Sequence, residues 1–323
     1  MKLFSYTAAD TCRLGVVVGN DGFDLNHADG RNADDMTAFL NGGDKAMALA
    51  RETAARIKSG DIPVKPLENI TFAAPVPAPA SCRDAYAFRQ HVETARRNRG
   101  VPMIPEFDDF PVFYFTNHRA IIGPGDVYCM PDQLDQLDFE LEVAVVINKH
   151  GRNIAAYEAD SYIAGYMVMN DFSARKLQME EMKLSLGPAK GKDFATAIGP
   201  YLVTPDELDV YGVEAKAGHT GKMFDLKMTC SVNGVKVSEG TLADMHWTFA
   251  EIIERISYGV DVYPGDVIGS GTVGTGCFLE LNGTAKLENP AYEPRWLKPE
   301  DTIEMEVTGL GRLVNTVKLE NES

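Results

Sequence analysis

The stretch "DFELEVAVVI", residues 138 to 147, sets a carboxylate at every second position and then runs into five apolar residues. Side chains alternate across an extended chain, so Asp138, Glu140 and Glu142 are predicted on one face and Phe139, Leu141 and Val143 on the other. An ordinary solvated acidic face would explain the triplet alone. The continuation "VAVVI" is what restricts the fold, because an unbroken apolar run belongs to a strand covered on both faces. Such a strand carries its carboxylates inside with it, and buried carboxylates need a partner. Next-but-one positions lie roughly 6.6 to 6.8 Å apart at the backbone, close enough for two flexible carboxylates to converge on a hard divalent cation.

Around this strand the chain alternates short strand-like runs with few helices. Before it come "LGVVVGNDGFDLN", a helical "GDKAMALARETAARIKSG", and a second helix around "YAFRQHVETARRNRG". After it come a short helix near "AAYEADS", the apolar strand "YIAGYMVMN", a helix in "DFSARKLQMEEMK", strands including "GPYLVT" and "FDLKMTCSVNGVKV", and one late helix, "HWTFAEIIERIS". Asn233-Gly234 is a hairpin signal. The three prolines of "APVPAPAS" can extend neither a helix nor a central strand and mark a boundary. The prediction is a β-dominated α+β protein with a small N-terminal α+β domain over residues 1–73 and a larger unit over 74–323.

Composition excludes some partners. With 31 basic and 47 acidic side chains the net charge is −16, which repels nucleic acid and anionic membranes. Five scattered cysteines without a C-x-x-C pair read as free thiols of a reducing compartment. No apolar run approaches the ~18 residues of a membrane span and "MKLFSYTAADTCRLG" has no signal core, so a cytoplasmic protein is expected.

Several motifs bear on chemistry. Asp171 follows an apolar strand, where a helix cap is the plain reading and a functional carboxylate the sharper one; Arg175 four residues on would pair with it along the helix. "GPAKGKDF" fails as a phosphate loop, since three residues separate Gly187 from Gly191 and Asp193 replaces the hydroxyl residue after Lys192. Lys192 in such a turn is either a surface lysine or an inward electrostatic catalyst. "GSGTVG", residues 269 to 274, matches G-x-G-x-x-G, but "TGCFLELNG" is expected to continue as strand and turn where a dinucleotide site needs a helix. The glycines do allow close approach to a ligand, with Thr272 as a hydroxyl contact. His91 reads as a lone histidine on a polar helix face. There is no nucleophile elbow, so an activated water is the candidate for any hydrolysis.

Taken together, "RDAYAFRQH", "PVFY", "DFELE", "MNDFSARKLQ", "LGPAKGKDFAT", "HWTFAEII", "PGDVIGSGT" and "FLEL", in this order, resemble the fumarylacetoacetate hydrolase family. The resemblance implies a mixed β-sandwich roll as catalytic domain, a homodimer, and one divalent cation, Mg²⁺ or Ca²⁺ with Mn²⁺ as a further candidate. It implies that Asp84, Glu140, Glu142 and Asp171 hold the cation, with Lys192 and Thr196 supporting it. Tyr86, Tyr114, Arg175, Gln178 and Thr272 are similar to substrate contacts, and His91 and Glu280 to a general base and its orienting carboxylate. The implied reaction is hydrolysis of a carbon–carbon bond in a 1,3-diketo acid, fumarylacetoacetate or a related acylpyruvate. In it His91 activates water while Lys192, Arg175 and Gln178 stabilise the departing carbanion. A hydratase, decarboxylase or isomerase of a related 2-oxo acid would use the same site, and a non-catalytic binding protein and a NAD-dependent oxidoreductase are the remaining readings. Met182 stands where well-known members carry a tyrosine contact, and Asp138 matches the motif without a role.

Overall fold

The computed structural model describes residues 1–320. One large mixed sheet runs β3 (Asp21–Asp24), β2 (Thr11–Val18), β1 (Lys2–Ala8), β9 (Thr196–Val203), β8 (Ile163–Asp171), β7 (Leu141–Ile147), β12 (Val267–Gly269), β4 (Cys82–Ala85) and β5 (Phe113–Thr116). A five-stranded sheet is ordered β11 (Val235–Thr241), β10 (Lys227–Val232), β13 (Thr302–Val307), β14 (Gly311–Leu319), β6 (Gly125–Cys129). Strand β7 is central, antiparallel to both β8 and β12, and every one of its residues is buried.

Its two faces feed two cores. Val143, Val145 and Ile147 pack with Met228, Ile252 and Met305 beneath the second sheet, whereas Ala144 and Val146 pack with Leu3, Phe39 and Ile198. Each fully buried Val or Ile contributes about 1.5–3 kcal/mol, so the run "VAVVI" can lie nowhere but the middle of the sheet.

The first 73 residues extend the large sheet. Strand β1 continues it by pairing with β9, and helix α1 (Gly43–Ser59) with its neighbours covers the face carrying Ala144 and Val146. Their apolar side chains therefore share a core with Met167, Met169 and Val267, and the proline-rich stretch is stitched to β1 where Ser5 Oγ donates to the Pro75 carbonyl at 2.7 Å.

Helices α2 (Arg89–Asn98), α3 (Arg175–Met182) and α4 (Phe249–Ser257) lie within the predicted stretches. The last opens with a reciprocal cap between Thr248 and Glu251. The Asn233-Gly234 hairpin has both residues at positive φ. Two local expectations fail. Helix α3 starts at Arg175 without a side-chain cap, because Asp171 is still on β8 and Ser173–Ala174 pair with Leu137–Asp138. "FLELNGTAKLE", expected as strand and turn, is helix α5 (Phe278–Glu288). A dinucleotide phosphate still has no place there, since the N–H groups of Phe278 and Leu279 donate to Asp138 at 2.7 and 2.9 Å and are spent. Among the described residues no helix is long and apolar enough to cross a membrane.

Candidate active site

Neighbouring strands of the large sheet bring the carboxylates together. Asp84 comes from β4, Glu142 from β7 and Asp171 from the end of β8, and Glu140 from the link just before β7. Each offers an oxygen, all within 4.8 Å of one another, and all four side chains are buried. Gly269 on β12 makes the room, because a Cβ there would fall 2.3 Å from Asp84 Oδ1. Gly271, at φ +78°, turns its N–H onto Asp84 Oδ1 at 3.0 Å and Glu142 Oε2 at 3.1 Å. Asn170 Oδ1 accepts from the Glu140 N–H at 3.0 Å.

Lys192 is buried inside the cluster, its Nζ 2.6 Å from Asp171 and bonded also to Glu140. Burial works against its charge, but Asp171 and Glu140 outweigh that and hold it above the usual lysine range. The carboxyls split. Burial and the charge of Asp171 push Asp84 up to about 7, and burial with Asp84 and Glu140 pushes Glu142 well above the usual range. Glu140 is buried too, yet Lys192 and Arg175 bring it down to about 2. Counted as ionised, these four carboxylates against Lys192 and Arg175 leave two negative charges crowded in a buried site. Oxygen-only donors with that residual charge fit a hard divalent cation, and Asp84, Glu140, Glu142 and Asp171 are the residues that would hold it.

His91, expected on an exposed polar face, is buried, because α2 packs against α5. Its Nδ1 sits 2.7 Å from Glu280 Oε2, and Glu280 Oε1 accepts from the Thr275 N–H at 2.9 Å. Glu280 thus orients the ring from the first turn of a helix. A ring nitrogen of His91 also lies within 4.8 Å of a Glu140 oxygen and of the Cys277 sulfur.

Arg175 does not pair with Asp171 as its spacing suggests. It bridges Asp138 (Nε, 2.9 Å) and Glu140 (Nη2, 2.7 Å) and donates to Gln178 at 3.0 Å. Asp138, fully buried, accepts from the N–H groups of Phe139, Phe278 and Leu279 as well. The strand breaks at Phe139–Glu140, so Asp138 leaves the face it would share with Glu140 and ties Arg175 to the helix carrying Glu280. Tyr114 donates to Asp171, Thr196 Oγ1 reaches the same carboxylate at 3.4 Å, and Thr272 Oγ1 lies 3.3 Å from Glu142. Tyr86 stands edge-on to His91, their rings 5.8 Å apart.

Of these groups Asp84, Tyr86, His91, Tyr114, Glu140, Arg175, Gln178, Lys192 and Thr272 line a cavity of about 690 Å³. Glu140, Lys192, Arg175 and Gln178 form its polar side, and Ile104, Val112, Met179 and Met182 its apolar side. The residues not foreseen are Asn170, Gly271 and Cys277. Gly271 alone left a signal, in a glycine motif that fails as a dinucleotide site and reads only as allowing close approach to a ligand.

A buried carboxylate cluster that could hold a hard cation, beside an oriented histidine and a cavity, is an arrangement suited to an enzyme site. The fumarylacetoacetate (FAA) hydrolase C-terminal family matches residues 81–318, and the chain belongs to the fumarylacetoacetate hydrolase family. It is 32% identical over 307 residues to the oxaloacetate tautomerase FAHD2A, mitochondrial, of Homo sapiens, spanning 94% of this chain and 87% of that protein. To the oxaloacetate tautomerase YisK of Bacillus subtilis (strain 168) it is 27% identical over 282 residues, spanning 85% and 83%. The solved structure of maleylpyruvate hydrolase from Sphingobium sp. SYK-6, in complex with manganese (II) ion and pyruvate, matches with a TM-score of 0.70 at 19% identity, covering 99% of this chain and 100% of that one.

Proposed function

We propose that this enzyme is a divalent-cation-dependent keto–enol tautomerase of small 2-oxo acids, with oxaloacetate as the first substrate to test. The observation that carries this reading is the His91–Glu280 pair, buried and set beside the carboxylate cradle. Kinship with the two oxaloacetate tautomerases supports it. Mg²⁺ and Mn²⁺ are the first cations to try.

When bound, the cation supplies Lewis-acid polarisation of the 2-oxo group, which acidifies the neighbouring C–H. With Nδ1 committed to Glu280, His91 has Nε2 free to take that proton from carbon and deliver it to the enolate oxygen, or to run the transfer in reverse, and the Glu280 carboxylate stabilises the imidazolium between the two events. Arg175 and Gln178 would bind the substrate carboxylate, while Lys192 holds Glu140 and Asp171. This transfer needs no ordered water and no carbon leaving group, which makes it a smaller demand on these residues than cleavage.

Hydrolysis of a 1,3-diketo acid is the second reading, favoured by a cavity of about 690 Å³ with an apolar side that could seat an acyl arm. One panel separates the two. Purified protein with Mg²⁺ or Mn²⁺ is given enol-oxaloacetate, acylpyruvates and fumarylacetoacetate, following enol absorbance and identifying products by mass. Faster enol decay without cleavage, lost in His91→Ala, supports the tautomerase. Cleavage products assign the hydrolase, and no effect on any substrate refutes both.

A further inference from the structure

Cys277 has no part in the chemistry above, yet it stands against it. Its sulfur, a ring nitrogen of His91 and a carboxylate oxygen of Glu140 lie within 4.8 Å of one another, and all three side chains are buried. We infer that these three residues form a second cation site, selective for Zn²⁺ and related thiophilic ions, whose occupation switches the enzyme off.

The donor sets differ in kind. The four-carboxylate cradle offers oxygen alone, which suits Mg²⁺, Mn²⁺ or Ca²⁺, whereas sulfur, imidazole nitrogen and one carboxylate form a zinc set. Zinc bonds of ~2.0–2.3 Å at tetrahedral angles put donor atoms roughly 3.3 to 3.8 Å apart, so side-chain rotation of about an ångström closes the site. Two supports are already built. Nδ1 of His91 faces Glu280 at 2.7 Å, the carboxylate–histidine arrangement that accompanies metal-bound imidazoles, and it leaves Nε2 as the ligand. Cys277 is fixed in place as the residue that opens helix α5, and its thiol, which burial and the charges of Asp138 and Glu140 keep protonated, gives up its proton when an ion binds. Glu140 has Arg175 on Oε1 and Lys192 on Oε2, and Arg175 keeps Asp138 and Gln178 as partners when Oε1 turns to an ion.

Two consequences follow. Glu140 is common to both sites, so Zn²⁺ here withdraws a ligand from the cradle. His91, once ligated, has no lone pair for a proton. Inhibition therefore rests on the reading of His91 as the base, whereas binding does not.

The test uses the full chain with its exposed cysteine removed, Cys12→Ser, compared with the same chain carrying Cys277→Ser or, as a second packing choice, Cys277→Ala. Co²⁺ is added as a spectroscopic probe for Zn²⁺. A near-ultraviolet sulfur-to-cobalt absorption in the Cys12→Ser chain, absent from both Cys277 variants, is the expected result. No such band, or one that survives both substitutions, overturns the proposal. In the turnover assay the half-inhibitory Zn²⁺ concentration should rise at least tenfold in the Cys277 variants, with Mg²⁺-supported activity within twofold of the parent. Unchanged Zn²⁺ sensitivity overturns the switch. The absorption arm needs no turnover, so a failure of the tautomerase reading is distinguishable from a failure of this one.

Discussion

Removing the carboxylate of Asp138 should cost this enzyme both stability and rate. The group is wholly buried, pairs with Arg175 at 2.9 Å, and accepts the first two N–H groups of α5. In Asp138→Ala the Arg175 guanidinium loses one partner of a buried ion pair, a loss of about 3–5 kcal/mol, and the helix loses a cap of about 1 kcal/mol. One carboxylate does both jobs, so the two are not additive, and about 4 kcal/mol is expected out of a total stability of about 5–15 kcal/mol. Asp138→Asn keeps an oxygen for the helix but turns an NH₂ toward Arg175, for about 2–3 kcal/mol. Because Glu280 is on the first turn of the same helix, a shift of about an ångström in the His91–Glu280 pair should lower kcat about a hundredfold in whichever variant stays folded. Urea unfolding followed by circular dichroism gives the first number, through a lowered midpoint at unchanged slope. Steady-state turnover gives the second. Variants within about 1 kcal/mol of the parent, with unchanged kcat, would refute the view that Asp138 holds the two halves of the site together.

His91→Ala should lower turnover by about 10²–10⁴-fold while cation affinity by calorimetry stays intact, and a fully active variant removes His91 from the mechanism. Glu140→Gln takes a charged donor from the cradle and should weaken cation binding by more than tenfold; unchanged affinity refutes that ligand. Gly271→Ala would drive a Cβ to 2.6 Å from the Ala85 carbonyl at a positive φ, and should destabilise the chain by about 1–3 kcal/mol and loosen the cation, which a thermal melt with and without Mg²⁺ can read. Asp24 tests a pH effect far from the site. Burial raises its pKa, but bonds from Arg13, Tyr6 and the His27 N–H more than offset this and leave it below the ordinary carboxylate value. A lowered folded pKa means stability that is complete above about 3.9 and is lost as pH falls through the folded value. Acid unfolding of Arg13→Met should therefore show a shallower fall below that pH, and an identical profile would remove Asp24 from the acid response.

The strand "VAVVI" and the helices of 89–98 and 249–257 were legible from sequence because the signals are local: an apolar run, a helical period, a Thr-x-x-Glu cap. The carboxylates Asp84, Glu140, Glu142 and Asp171 were legible as a set only through family resemblance, since the last lies 87 positions after the first. Four other features depended on tertiary packing. His91 looks exposed on its own helix and is buried because α5 lies against it. "FLEL" reads as strand by composition and is helix because Asp138, 140 residues earlier, caps its start. Asp138 itself cannot be assigned from alternation, because the strand breaks after it and its partners are Arg175 and a distant helix. Cys277 beside His91 is a coincidence of folding that no spacing announces. The sequence by itself determined which segment had to lie mid-sheet and that carboxylates would be buried with it, since burial of an apolar run is a property of the run. Which histidine, which lysine and which thiol those carboxylates meet was decided by the tertiary structure, because such contacts join residues that the chain keeps far apart.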